Sequence, residues 1–236
     1  MEVLAIIPAR GGSRGIKHKN IRKLCGRPLI QYSVESAINS KKISRIVVST
    51  DDPKIQKICQ SLSVEIPFLR PKKLATKNSL MIDVIKHTLV FLESRFSYVP
   101  DIITILQPTS PFRTSSLIDS SINLLIKNKA TSVISVSTMK QHPLISFQYD
   151  KKFLKPFYPN FEKHSIRQNR KELFYLTSSI FTFWNKTLKK YNSIYGPKIK
   201  PIITNEPELI IDINEKFDFF LAEMVLRYWK NSLLNY

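Results

Sequence analysis

Apolar residues along this chain fall into short runs and longer periodic stretches that take turns. Val3–Ile7 is an apolar run of strand length that breaks at Pro8. After Pro28, residues Leu29, Ile30, Ser33, Val34 and Ala37 share one helical face, and a proline suits a first turn. Arg45–Thr50 predicts a second buried strand. Pro53 then opens a helix with Ile55, Ile58 and Leu62 inward. Val64–Leu69 predicts a third strand, interrupted by Pro67. From about Ser79 to Phe91 the spacing predicts a helix whose buried stripe is Ile82, Ile85, Leu89 and Leu92. Ile102–Leu106 and Ser132–Ser137 read as further strands, with a helix over Ser115–Lys129 between them. This order argues for an α/β fold, a mostly parallel sheet with helices on both faces.

The pattern then changes. Lys140 to Phe174 is rich in aromatics, Pro and Lys and has no clean period. Ile199–Thr204 and Glu208–Ile213 predict late strands. An amphipathic helix over Glu215–Leu234 closes the chain, with Phe219, Leu221, Met224, Val225 and Trp229 as core. At 236 residues the chain suits a single domain, 1–236, with 140–174 as a subregion of its own.

Charge adds a second constraint. The chain carries 37 Lys+Arg against 18 Asp+Glu, a net charge of +19. Such a field attracts polyanions: nucleic acid, acidic headgroups or a triphosphate. The basic residues are scattered, with pairs such as Lys41-Lys42 and Lys72-Lys73 and no polybasic tail. Nor do the aromatics interleave with them in a stacking pattern, which argues against a nucleic-acid partner. Cys25 and Cys59 are too few for a disulfide framework and have no metal-ligand spacing with the four histidines. A reducing cytoplasm is the expectation. No apolar run approaches the ~18 residues of a membrane span, so membrane insertion is not expected.

The chemistry gathers first behind the opening strand. Gly11, Gly12 and Gly15 leave room for a ligand to approach peptide N–H groups. Arg10, Arg14, Lys17, Lys19 and Arg22 surround them with positive charge. A strand that runs into such a loop reads as a site for a phosphorylated ligand. Neither common phosphate fingerprint fits. Gly12 leads through four residues to Lys17-His18, not to Lys-Ser or Lys-Thr. Arg10 stands where a dinucleotide motif needs its first glycine. Further on, Asp51-Asp52 before Pro53 reads as a helix cap in preference to a cation site. Gln107-Pro-Thr-Ser-Pro-Phe-Arg113 holds two prolines in five residues, so it is a rigid loop at a strand end, where open α/β sheets collect ligands.

These stretches resemble one family. Ile7-Pro-Ala-Arg-Gly-Gly-Ser-Arg-Gly-Ile16, closing with Lys19-Asn20, is similar to the opening motif of the CMP-sialic acid synthetases (acylneuraminate cytidylyltransferases). So are Arg70-Pro-Lys-Lys-Leu-Ala75, the Gln107–Arg113 loop, and Glu208 to Phe219. The chain departs from the family's pattern at four places. Arg14 stands where Lys is more usual, Lys77 follows Arg70-Pro-x-x-Leu-Ala where an acid is frequent, Thr177-Ser178 replaces Asn-Gly, and Asn214 replaces a second acid.

The resemblance implies a three-layer Rossmann-like nucleotide-sugar transferase fold, with residues 140–174 projecting to pack against a second subunit. It implies CTP and an acidic nine-carbon sugar as substrates and a homodimer as the working unit. Arg10, Lys19 and Asp212 would be catalytic. Ala9, Gly11, Gly12, Ser13, Arg14, Asn20 and Arg70 would bind CTP. Gln107, Arg167 and Phe181 would bind the sugar. Mg²⁺, or another divalent cation, would sit on Asp212 and Asn214, the latter offering only a neutral oxygen. Asn214 also suits a helix N-cap. No His or Glu is placed as an obvious base; Asp212 or a metal-bound hydroxyl could take the sugar's proton. An eight-carbon acidic sugar of the Kdo type, or another acidic sugar, is the rival substrate; a basic nucleic-acid-binding protein is the remote rival from another class, and a non-catalytic relative is a further one.

Overall fold

A computed structural model describes residues 1–229 apart from residues 14, 165, 167 and 169. The expectations placed on Arg14, Arg167 and residues 230–234 lie outside the described residues.

Among the described residues, ten strands and six α-helices follow one another. β1 (Val3–Pro8), β4 (Arg45–Ser49), β5 (Ile102–Ile105), β6 (Ser132–Thr138), β9 (Phe174–Trp184) and β10 (Ile199–Ile203) form one six-stranded sheet in the order β10-β6-β9-β5-β1-β4. β9 pairs antiparallel with β5 and β6, and every other pairing is parallel. β2 (Lys23–Leu24) and β3 (Arg27–Pro28) make a small hairpin ahead of α1 (Leu29–Ile38).

Period-two alternation in β1 explains the three layers. Val3, Ala5 and Ile7 face one core with Ile30 and Val34 of α1, Ile55 of α2 (Pro53–Ser61), and Ile118 and Ile122 of α4 (Ser115–Lys127). Leu4 and Ile6 face the other, with Ile85 and Leu92 of α3 (Met81–Phe96) and Leu188 of α5 (Asn185–Tyr191). A third cluster lies off the sheet. It joins Ile16, Leu24 and Leu29 to Ile211, Ile213 and Phe219, the last from α6 (Lys216–Met224). Asp52 caps α2 as expected, accepting from Lys54 N with Pro53 in the first turn, and Thr114 caps α4 by accepting from Leu117 N; the N-cap of α6 is Glu215, in a capping box with Asp218, and not Asn214.

Two predicted strands do not form. Val64–Leu69 touches the sheet only through isolated bridges at Glu65 and Leu69, because Pro67 removes a donor between them. Glu208–Ile213 is a turn followed by extended chain with no ladder. Its apolar alternation is real, but Ile211 and Ile213 pack on α6 and Ile16 instead of on a sheet face. The closing helix is regular only to Met224 and widens into a π-type turn over Val225–Trp229.

Within the 140–174 stretch, β7 (Phe147–Asp150) and β8 (Phe153–Pro156) form a separate two-stranded hairpin. Its side chains are largely exposed: Tyr149 is 76% and Phe153 74% accessible.

Candidate active site

The parallel strands β1, β4 and β5 end on one edge of the sheet, and the loops that follow enclose a cleft of about 490 Å³. Arg10, Ser13, Gly15, Lys19 and Asn20 line it from the loop after β1. Arg70, Leu74, Thr76 and Lys77 line it from the segment after the Leu69 bridge. Gln107 and Thr109 come from the loop after β5, and Asn214 from the late chain. Segments far apart in sequence thus meet in one place.

Backbone and side-chain bonds hold the glycine loop in shape. Gly11 N donates to Asp51 Oδ1 at 2.9 Å, and Asn20 Nδ2 donates to the Arg10 carbonyl at 2.9 Å. Neither Gly11 nor Gly15 has a positive φ; close approach is what demands glycine. A Cβ on Gly11 would meet Asp52 Oδ2 at 2.7 Å, and one on Gly15 would run into the Asn214 carbonyl oxygen. Arg10 crosses the cleft mouth, its guanidinium donating to the Thr76 carbonyl at 2.7 Å.

Lys19 joins the loop to the late chain, its Nζ donating to the Ile213 carbonyl at 2.6 Å. Burial pulls its ammonium below the ordinary lysine value, with nearby Asp212 acting the other way and Arg10 adding to the fall. Burying an isoleucine is worth about 2 kcal/mol, against about 1 kcal/mol for a typical hydrogen bond. The packing of Ile211 and Ile213 therefore fixes where Asp212 lies, and the Lys19 bond refines it. Ile213 N donates to the Thr109 carbonyl at 2.8 Å, which anchors the same segment to the Gln107 loop.

Asp212 is placed between these anchors. Its Oδ2 accepts from Asn214 Nδ2 at 3.0 Å, while its Oδ1 is buried with no hydrogen-bond partner among the described residues. An unpartnered buried carboxylate oxygen is costly without a cation or donor. Among the described residues no group of three or more His, Cys, Asp and Glu side chains stands ready to hold a metal ion.

Several expected contacts are corrected by the structure. Ala9 is fully buried outside the cleft lining and its N–H donates to the Ser49 carbonyl at 2.9 Å, so it extends the β1–β4 ladder and that N–H is not free for a ligand. Gly11 spends its N–H on Asp51, and Gly12 points to open solvent. Phe181 packs in the core beside Ile105 and Ile134 and does not line the cleft. Arg22 stacks over the Phe219 ring at 5.2 Å, and Lys17 is exposed outside the cleft. Arg70 lines the cleft, but its guanidinium is bound to Ser49 and donates to the Leu74 carbonyl at 3.5 Å. Burial pushes it down to about 10, with Asp51 opposing the fall and Arg10 adding to it.

Two useful residues escaped the sequence reading. Lys77, noted only as a departure from a pattern, adds a fourth cation to the lining. Asp51 holds the glycine loop; the signal was two adjacent acids at a strand end, where one suffices to cap α2.

A cleft at the carboxyl ends of parallel strands, lined by cations and with the half-buried carboxylate of Asp212 close to its Lys19, defines a nucleotide-handling α/β enzyme. The family model described as cytidylyltransferase matches residues 4–223, and the chain belongs to that family. The CMP-N,N'-diacetyllegionaminic acid synthase of Legionella pneumophila is 33% identical over 239 residues, covering 99% of this chain and all of its own length. The N-acylneuraminate cytidylyltransferase of Escherichia coli O18:K1:H7 is 30% identical over 226 residues, which span 94% of this chain and 51% of that one. The solved structure of a CMP:2-keto-3-deoxy-manno-octonic acid synthetase complexed with CTP superposes with a TM-score of 0.69 over 96% of this chain and 98% of its own. At 14% identity it bears on the fold alone. Among the described residues no helix is long and apolar enough to cross a membrane.

Proposed function

We propose that this cytidylyltransferase activates an acidic nine-carbon keto-sugar of the sialic acid type with CTP, giving the CMP-sugar and pyrophosphate. The observation that carries the reading is the meeting of Arg10, Lys19, Gln107 and Asn214 around one cleft, with Asp212 held against it. The full-length likeness to a diacetyllegionaminic acid synthase supports a nonulosonic acid as the acceptor.

The anomeric hydroxyl oxygen attacks the α-phosphorus in line. A phosphorus–oxygen bond forms as the bond to the bridging oxygen breaks, and pyrophosphate leaves with that electron pair. The hydroxyl proton passes to a base. Charge building on the leaving group is the main barrier, and fixed cations lower it most. Lys19 and Arg10 are pre-set for this by their bonds to the Ile213 and Thr76 carbonyls. Ser13, Asn20 and Lys77 line the nucleotide side, and Arg70 braces it. Gln107 faces the acceptor. Among the described residues no hydrogen bond engages its side-chain amide, which leaves it ready for a sugar oxygen.

The orphaned Oδ1 of Asp212 fits one coordination site of a divalent cation, with substrate oxygens and water as the rest. Bound there, Mg²⁺ would neutralise and orient phosphate charge. Asn214, whose amide N–H is turned to Asp212, acts in this reading as the partner that aims the carboxylate. The exposed aromatic hairpin supports a homodimer, and a cytoplasmic enzyme fits a chain with two free cysteines.

The test is pyrophosphate release with CTP and Mg²⁺ over a panel of neuraminic, legionaminic and pseudaminic acids and Kdo, with products weighed by mass spectrometry. A CMP adduct of one nine-carbon acid is expected. Turnover of Kdo alone, or of none, would refute the reading.

A further inference from the structure

Arg113 is a buried cation without a counter-ion. It is 4% accessible, and no carboxylate among the described residues pairs with it. Burying a lone guanidinium is expensive unless neutral acceptors meet it. Here they meet both terminal nitrogens, from three parts of the fold, while the buried Nε has no partner among the described residues. NH1 donates to the Ser179 carbonyl at 2.6 Å, NH2 to Ser33 Oγ at 2.6 Å, and both to the Gln107 carbonyl at 3.3 Å. Ser33 Oγ in turn donates to the Gln107 carbonyl at 3.3 Å. The backbone of Gln107 is thus gripped by Arg113 and by α1, and the residue lines the cleft.

The third anchor has its own character. β9 slips register against β6 between Ile134 and Val136, and Ser178 there adopts a left-handed φ of 60°. Ser135 Oγ accepts from Ile180 N at 2.9 Å, which holds the irregularity in place. Arg113 therefore bridges the Thr177–Ser179 irregularity of β9 to the backbone of Gln107, a residue that lines the cleft. None of its bonds reaches Arg10, Ser13, Asn20 or Lys77.

We propose that Arg113 is a positioning residue for the acceptor half of the reaction. It fixes the Gln107 carbonyl against β9 and α1, and so sets where the Gln107 amide meets the acidic sugar. This rests on Gln107 facing the sugar.

The experiment is a double-mutant cycle on the full-length enzyme with Arg113→Met, Gln107→Ala and the pair. Steady-state constants are measured for both substrates, with CTP affinity by calorimetry. Methionine keeps the apolar stem and removes the buried charge, so the fold should persist. Arg113→Met should raise the sugar KM about tenfold with CTP affinity unchanged. In the Gln107→Ala background the same change should move the sugar KM less than about twofold. Parallel loss of CTP affinity, or an undiminished effect in that background, would overturn the proposal. Gln107→Ala alone tests the underlying reading, since an unchanged sugar KM would remove Gln107 from the sugar site. If Arg113→Met fails to fold, Ser33→Ala removes one anchor only. A sugar KM raised about threefold supports the proposal, and an unchanged one refutes it.

Discussion

Lys19 Nζ and the Ile213 carbonyl oxygen lie 2.6 Å apart although 194 residues separate them in the chain. This bond closes the phosphate-side loop onto the segment that carries Asp212. It also explains the half-buried ammonium, which has traded part of its water for a carbonyl and a neighbouring carboxylate.

Lys19→Met should lower kcat/KM about a hundredfold, the scale for loss of one preset charge stabiliser. The third cluster is apolar and does not depend on the ammonium, so the melting temperature should stay within a few degrees. Kinetics beside thermal melts check both halves. Near-parental turnover in the folded variant would remove Lys19 from the chemistry.

The same burial sets a pH signature. The folded-state pKa of Lys19 lies below its ordinary 10.5, with burial as the first cause. Between the two values the unfolded chain binds more protons than the folded one. The Lys19 contribution to stability therefore rises with pH through that window, and below it the buried charge is a constant cost. Activity goes the other way, because the protonated form is the one that stabilises the leaving pyrophosphate. An alkaline fall in kcat/KM is expected, and Lys19→Arg should abolish it by keeping the charge fixed. A pH–rate profile of both proteins decides.

Asp212→Ala should cost at least about tenfold in kcat/KM and flatten the Mg²⁺ dependence of turnover. Its stability should change little. The variant deletes a buried oxygen that has no partner among the described residues, which relieves a desolvation cost, and this opposes the loss of the Oδ2 bond to Asn214 and of the carboxylate near Lys19. Mg²⁺ titrations and melting curves read the two effects separately. A large drop in melting temperature would make Asp212 a structural residue.

Gly15→Ala puts a methyl against the Asn214 carbonyl, a backbone atom that cannot swing aside. Either the loop or the Asp212 segment must move, and an ångström-scale shift there should cost at least about tenfold in kcat/KM. Gly12→Ala meets nothing within 4 Å and should melt with the parent protein. Equal melting and turnover for Gly15→Ala and the parent would show that the close approach is dispensable.

The layers were legible because β1 alternates cleanly and each parallel strand reads as a short apolar run. Arg10, Lys19, Asn20 and Gln107 were legible because cations, glycines and prolines cluster at strand ends. What escaped was contact. Ala9 and Phe181 belong to stretches that resemble a binding motif, yet Ala9 continues a ladder and Phe181 fills the core. Sequence order cannot tell the two faces of a strand end apart. The Ile211–Ile213 alternation predicted a strand because period two marks a buried face, and it does not say what buries it. Arg113 looked like the tail of a loop motif; only the fold brings Ser33 and Ser179 to it.

The hairpin of β7 and β8 carries the last prediction. Tyr149 is 76%, Phe153 74% and Leu154 61% accessible, while Phe147 stacks on Phe161 with centroids 4.8 Å apart. This ring contact and the β7–β8 ladder hold the arm without the outer aromatics. Burying one such side chain is worth about 2 kcal/mol, and interfaces are enriched in Tyr and Phe for this reason. If these residues meet a second copy, Tyr149→Glu with Phe153→Glu places two carboxylates in that contact and should convert a dimer to a monomer. Sedimentation velocity at micromolar concentration reads the change directly. The monomer should keep its melting behaviour, because neither side chain belongs to the buried clusters. A parent protein that sediments as a monomer, or a double variant that remains a dimer, would leave the arm without the role given to it.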